Sequence, residues 1–269
     1  MVSLRLSLIV RWILCTFLGV LLLGLVTLAI PVQSWRSGRS AVSPLELVQG
    51  GPIVPMPHRL WIDTDAACGA SPTADPDDCF AVLMVASAPN VDVVGISTIF
   101  GNANLDVTDN ITRNLVGRIE KEGHSPIPVF RGASAPRTAV KSSSSSLASS
   151  ALQQALSEGP LTVLAIGPLT NVAAALEYRP DLQINLVRLV AVMGRRPGHI
   201  FHPSESSAHG MLFGHGPVFR DLNFDKDPAA VDTVLSMSLP MTLIPYDASL
   251  FVTLNHSSFD QMGSGETMK

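Results

Sequence analysis

Five aspartates, Asp63, Asp65, Asp75, Asp77 and Asp78, fall within the stretch "WIDTDAACGASPTADPDDCF" (61–80) of a chain in which only 15% of residues are charged. Carboxylates gathered this closely repel one another unless protons or a cation compensate them. Two kinds of chemistry suit them. One is a solvated turn with helix capping: Asp77 and Asp78 precede the apolar run "CFAVLMVASAP", where a carboxylate accepts from free amide groups and gains from the helix dipole. The other is a hard-cation site, because an all-oxygen ligand set favours Ca²⁺ or Mg²⁺ over zinc. Asp63 and Asp65 stand at a strand end, and their side chains are expected to point different ways. Asp65, Asp77 and Asp78, on one strand-to-helix connection, are the set expected to converge.

The elements that must position these residues can be read from periodicity. "RLWIDTD" is a short apolar run ending in acids, as in a buried strand whose C-terminal end carries polar groups. "DDCFAVLMVASAP" has helical spacing and stops at Pro89. "VDVVGISTIFGN" is β-branched, and "LDVTDNITRNLVGRIEKEG" is an amphipathic helix closed by Gly123. The alternation continues with "IPVFRGA" (strand), "SSALQQALSEG" (helix), "LTVLAIG" (strand) and "PLTNVAAALEYRP" (helix). "LVRLVAVMG" (strand), "DPAAVDTVLSM" (helix) and "MTLIPYD" (strand) complete it. Such alternation predicts βαβ units and a mostly parallel sheet. Ligands of such sheets sit outside the carboxyl ends of the strands. The polar clusters Asp63/Asp65, Gly101-Asn102, Gly167, Gly194 and Asp247 fall at those ends. The run Ser142–Ser146 reads as a solvated connector.

Taken in order, "DTD…DPDDCFAVLMV", "ISTIFGNANLDVTDNITRNL", "LAIGPLTNVAAALEYRP", "VRLVAVMG" and "DLNFDKDPAAVDTVL" resemble the inosine/uridine-preferring nucleoside hydrolase family over about residues 58–247. The resemblance implies a Rossmann-like α/β domain with flanking helices, and hydrolysis of the N-glycosidic bond of ribonucleosides with one bound Ca²⁺. It implies that Asp65 ligates the metal and acts as general base on the attacking water, that Asp78 is a bidentate ligand, and that Ile166 offers its backbone carbonyl. It implies ribose contacts from Asp77, Asn102 and Asn223, with Asp221 in place of a glutamate, and a pocket wall at Met193. The implied partner is a small nucleoside, and a homo-oligomer is compatible with the resemblance.

Three departures qualify this expectation. The connection "AACGASPTADP" between Asp65 and Asp77 is eight residues longer than the family's tight loop, so it must bulge and return. Cys68 lies in the bulge and Cys79 just beyond it; a disulfide between them is one outcome in an oxidising compartment, two free thiols the other. The stretch 195–219 carries His199, His202, His209 and His215, either as a surface loop or as a lid whose histidine protonates the leaving base. Finally, the family's later segment with a further calcium aspartate would lie beyond Lys269. Asn255-His256 is the nearest stand-in. The expectation is a domain incomplete at its C-terminus, with a calcium site short of one ligand and catalysis that is impaired or absent from this fragment.

Bulk properties narrow the field. A net charge of −4 without a basic stripe argues against nucleic acid. The cysteines Cys15, Cys68 and Cys79 form no CxxC pair, so no zinc motif is indicated. No GxGxxG dinucleotide motif occurs. A phosphatase reading of Asp63-Thr64-Asp65 fails on Ala67, where haloacid-dehalogenase-like enzymes want Thr or Val. A non-catalytic relative that binds a nucleoside or ribosyl ligand is the alternative function. The run "WILCTFLGVLLLGLVTLAIPV" (12–32) is uncharged and long enough, at about 1.5 Å per residue, to cross a hydrocarbon core of about 30 Å. Arg5 and Arg11 precede it, which favours a cytoplasmic N-terminus. The expected organisation is an N-terminal transmembrane anchor or signal segment (1–35), a linker (36–57) and the α/β domain (58–269). The domain is expected outside the cytoplasm, tethered to the membrane or secreted.

Overall fold

A run such as "LWIDT", apolar on both faces, is stable only where both faces are covered. It forms the centre of the sheet. The computed structural model describes residues 57–71, 74–137, 146–194, 221–245 and 248. Six strands order as β3-β2-β1-β4-β5-β6, and every pairing is parallel. The strands are β1 (His58–Thr64), β2 (Val91–Thr98), β3 (Val129–Arg131), β4 (Leu161–Ala165), β5 (Leu186–Val192) and β6 (Met241–Ile244). The helices are α1 (Asp77–Ala86), α2 (Leu105–Lys121), α3 (Leu147–Ser157), α4 (Thr170–Tyr178), α5 (Leu222–Lys226) and α6 (Pro228–Ser236), with a 3₁₀ turn at Pro180–Asn185. Each strand and helix predicted for the α/β domain is present. The short α5 and the 3₁₀ turn were not foreseen.

Side-chain alternation on β1 divides the core in two. Ile62 packs with Val82 of α1 and Val116 and Ile119 of α2 on one face. Trp61 packs with Leu152 of α3, Val172 and Leu176 of α4 and Val231 of α6 on the other. Trp61 donates from Nε1 to Ser97 Oγ (2.8 Å) and stacks on Phe130 with ring centroids 5.4 Å apart. Its neighbour across the ladder is Gly95, where a Cβ would overlap the indole ring. The glycine is what lets the largest side chain of the core lie against the adjoining strand.

Local signals start the helices. Asn104 Oδ1 accepts from Val107 N (3.1 Å) to cap α2, Ser146 caps α3, and Asp227 caps α6 ahead of Pro228. Gly123, at φ +96°, follows the end of α2 as the C-terminal glycine signal requires. Among the described residues no helix is long and apolar enough to cross a membrane. The predicted anchor, the predicted linker up to residue 56, the histidine-bearing stretch 195–219, Asp247 and Asn255-His256 all lie outside the described residues.

Candidate metal and substrate site

Strand order reverses direction between β1 and β4, and the crevice outside the carboxyl ends of those strands is where open parallel sheets bind ligands. The two strand ends are knit together: Ile166 N and Gly167 N both donate to Asp63 O, at 2.9 and 3.3 Å. Asp65 emerges at this point.

Asp63 and Asp65 do point different ways, although residues two apart on one strand share a face; Asp65 lies past the end of β1 at Thr64, where that alternation stops. Asp63 turns into a polar network beneath the site. Its Oδ1 accepts from Asn171 Nδ2 (2.9 Å) and from Ser97 Oγ, while Oδ2 is buried without a partner among the described residues. Burial raises its pKa to about 7, against the lowering effect of Asn171 and Ser97. Asn171 also donates to Thr98 O (3.2 Å) and accepts from Ala133 N (2.9 Å), so one amide ties β1, β2 and the loop after β3. The sequence reading missed Asn171, whose partners lie far away along the chain.

Asp65 turns the other way. Its Oδ2 accepts from Asn102 N (2.7 Å), and its Oδ1 is buried without a partner among the described residues. The carboxyl is held between two glycines. A Cβ at Gly101 would overlap Asp65 Oδ2, and one at Gly167 would stand 3.0 Å from Oδ1.

Despite the enlarged connection, Asp78 returns to Asp65. Its Oδ2 accepts from Thr64 Oγ1 (2.8 Å) and from Asp65 N (3.1 Å), which sets the Asp65 and Asp78 carboxyls close enough to act on each other electrostatically. Burial and then the Asp65 charge raise Asp78 well above the ordinary carboxylate range. Burial lifts Asp65 to about 6. Asp77 is pushed up to about 7 by partial desolvation and by the charges on Asp78 and Asp75, although its outer edge is open to solvent. Neither Asp77 nor Asp78 caps α1, whose N-cap is Pro76 without a side-chain cap bond; both lie in its first turn, where Asp75 Oδ1 accepts from Asp77 N (3.2 Å) and Asp77 Oδ1 from Asp78 N (2.8 Å).

The bridge across this connection is a disulfide. Cys68 and Cys79 are bonded, with Cα atoms 6.3 Å apart, so the alternative of two free thiols does not hold.

The other anticipated residues are placed as follows. Asn102 is exposed and reaches Asp65 through its backbone N–H. Ile166 follows the end of β4, and its carbonyl accepts from Asn223 Nδ2 (2.7 Å), which also donates to Val192 O (2.9 Å). Asp221 caps α5 by accepting from Phe224 N (3.0 Å). Met193 is buried in the core with Leu189 and Ala191. The structure thus brings Asp65, Asp77 and Asp78 together, and fixes Asn223 at the adjoining strand ends.

Among the described residues no group of three or more His, Cys, Asp or Glu side chains is arranged to hold a metal ion, and no ion pair reaches Asp65, Asp77 or Asp78. Two buried carboxyls in contact, one with an orphaned oxygen, make an uncompensated negative centre with oxygen donors only. That donor chemistry fits a hard divalent cation.

Comparison with known proteins places this geometry. The profile described as "Inosine-uridine preferring nucleoside hydrolase" matches residues 60–268. Uridine nucleosidase 1 of Arabidopsis thaliana is 25% identical over 244 residues, covering 81% of this chain and 65% of that protein. A probable uridine nucleosidase 2 of Oryza sativa is 28% identical, covering 71% of this chain and 57% of its own length. The chain thus spans less than two thirds of the length of these curated relatives. Among solved structures, a plant nucleoside hydrolase, PpNRh1, superposes with a TM-score of 0.60 at 21% identity, covering 79% of this chain and 67% of the other. The Bacillus anthracis inosine-uridine preferring nucleoside hydrolase gives 0.58 at 20%, covering 77% and 70%. At such identities the structural likeness establishes the fold.

Proposed function

This chain belongs to the inosine-uridine preferring nucleoside hydrolase family, and from that premise we propose that it hydrolyses the N-glycosidic bond of a ribonucleoside to ribose and free base. The observation that carries the reading is the meeting of Asp65 and Asp78 at the switch point of the sheet, with Asp65 Oδ1 left unpartnered. Water adds to C1′ of the ribose as the bond to the base breaks, and the base leaves with the bonding pair and takes up a proton from solvent. Asp65 accepts the water proton at Oδ1 while Asn102 N–H holds Oδ2 in place. The carboxylates also stabilise positive charge developing on the sugar ring. Asp77, Asn102, Asp221 and Asn223 are assigned to the sugar, and Met193 to the wall beside it.

The cation of the site is proposed to be Ca²⁺, held by Asp65, Asp78 and the Ile166 carbonyl. When bound, it supplies charge neutralisation and water activation. Ile166 O has a second lone pair beyond the one that Asn223 uses. Two measurements on the purified full chain test the reading. Incubation with a panel of nucleosides is expected to release ribose and base in equal amounts, and chelator should stop it. Binding without cleavage would instead support the non-catalytic alternative. Asp78→Asn preserves an acceptor for Thr64 and Asp65 N, yet should weaken Ca²⁺ binding in calorimetry by more than the roughly 10- to 100-fold typical of changes outside the ligand shell. Unaltered affinity would remove Asp78 from the metal.

The location proposed is extracytoplasmic, with residues 1–35 as a single anchor. The uncharged run 12–32 supports this, as does the Cys68–Cys79 disulfide, since such bonds persist in oxidising compartments. The chain is expected to pellet with membranes, resist carbonate extraction and be digested by protease added from outside. A soluble chain sequenced from beyond residue 32 would mark a cleaved leader instead.

A further inference from the structure

The disulfide lies across the part of the site that the sequence shows to be enlarged. Asp65 and Asp78 are 13 residues apart along the chain. Through the bridge the path is short: three residues from Asp65 to Cys68, and one from Cys79 to Asp78. The loop between is held by local turns, Ala70 N to Ala67 O (2.9 Å) and Ala74 N to Ser71 O (3.2 Å), which do not reach across to α1. The carboxylate pair is tied across by the bonds from Thr64 Oγ1 and Asp65 N to Asp78 Oδ2. They act against the repulsion of two buried acids. Cys79 is buried at the start of α1 beside Asp78, whereas Cys68 is half-buried and runs into exposed Gly69 and Ala70. The bridge is therefore anchored in the core at one end and approachable from solvent at the other.

We propose that the Cys68–Cys79 disulfide is a positioning element for the cation-binding carboxylates: it holds Asp65 and Asp78 at one point, and its reduction lets them part. This rests on the reading of that pair as a cation site. Reduction by a dithiol moves two electrons and two protons to the bridge, leaving two thiols here and a disulfide on the reductant.

The test is Ca²⁺ titration calorimetry on three forms of the full chain: oxidised wild type, wild type reduced with dithiothreitol, and the double variant Cys68→Ser/Cys79→Ala. Mass spectrometry confirms the thiol state, and thermal melts followed by circular dichroism report the fold. Both bridge-free forms should keep a cooperative melt yet bind Ca²⁺ about 10- to 100-fold more weakly, the loss seen when groups that orient metal ligands are removed. The double variant should not respond to dithiothreitol. Equal affinity in all three forms overturns the proposal and leaves the cation site standing. No Ca²⁺ binding even by the oxidised chain defeats the cation site and the proposal together. Loss of the cooperative melt on reduction makes the bridge a staple of the whole domain, and the local role fails.

Discussion

Asp65→Asn should lower kcat/KM for ribonucleoside cleavage by at least about 10³-fold, within the range that a positioned general base contributes, while making the cation-free chain more stable. The two effects have one cause. In the native chain Oδ2 is fixed by Asn102 N–H, Oδ1 is buried with no partner among the described residues, and the Asp78 carboxyl lies close by. An amide keeps the first contact through its oxygen, and its nitrogen can donate to Asp78. A carboxyl–carboxyl contact becomes an amide–carboxyl hydrogen bond, and one buried acid disappears. The amide cannot accept the proton of water, so the chemistry stops. Each kcal/mol of repulsion relieved should raise Tm by about 2–4 °C in a domain of this size. Steady-state kinetics and thermal melts in chelator decide the matter. An Asn variant that turns over normally, or that melts below wild type without cation, would show that Asp65 does neither job. Groups that carry function at the expense of stability behave in this way.

Gly101→Ala tests the same carboxyl from its other side. The added methyl would overlap Asp65 Oδ2 and stand 2.8 Å from its Cγ. The side chain has nowhere to go, because Gly167 closes on Oδ1 and the residue is wholly buried. Either the carboxyl turns or the segment carrying Asn102 moves, and both break the Asn102 N–H bond. A shift of about 1 Å in a catalytic group costs on the order of 10²-fold in rate, and overpacking costs about 1–3 kcal/mol in stability. Ca²⁺ affinity should fall alongside kcat/KM. Gly117→Ala, in α2 with open space around the new methyl, is the control. It should leave turnover unchanged and stabilise by up to about 1 kcal/mol, as alanine does for glycine inside a helix. Equal behaviour of the two variants would mean that the contact at Gly101 has no bearing on the site.

The sheet was legible because its information is local. Apolar runs of strand length alternate with helical periods, and caps such as Asn104 and Asp227 stand where the helices begin. The opposed directions of Asp63 and Asp65 do not follow from strand alternation, which puts residues two apart on one face; they arise because Asp65 lies just past the end of β1 at Thr64. The five-residue α5 carries too little periodicity to register. The convergence of Asp65 and Asp78 was legible because one strand-to-helix connection carries both, whereas the joining of Cys68 to Cys79 was left open because a bulged loop can close in many ways. Asn171 was invisible for a related reason: its bond to Asp63 spans 108 residues, and nothing in "PLTNVAAAL" signals it. The assignments of Asn223, Asp221 and Met193 came from family resemblance, and the structure adds what each already holds.

The amide of Asn223 has a consequence for what the crevice will admit. Both hydrogens on its nitrogen are committed, to the carbonyls of Ile166 and Val192. Only its oxygen is left to meet a visitor, and that oxygen welcomes a group with a hydrogen to give. A sugar hydroxyl has one, whereas a fully ionised phosphate ester has none and carries negative charge toward Asp65 and Asp78 as well. So arranged, this corner suits a hydroxyl and not a phosphate group.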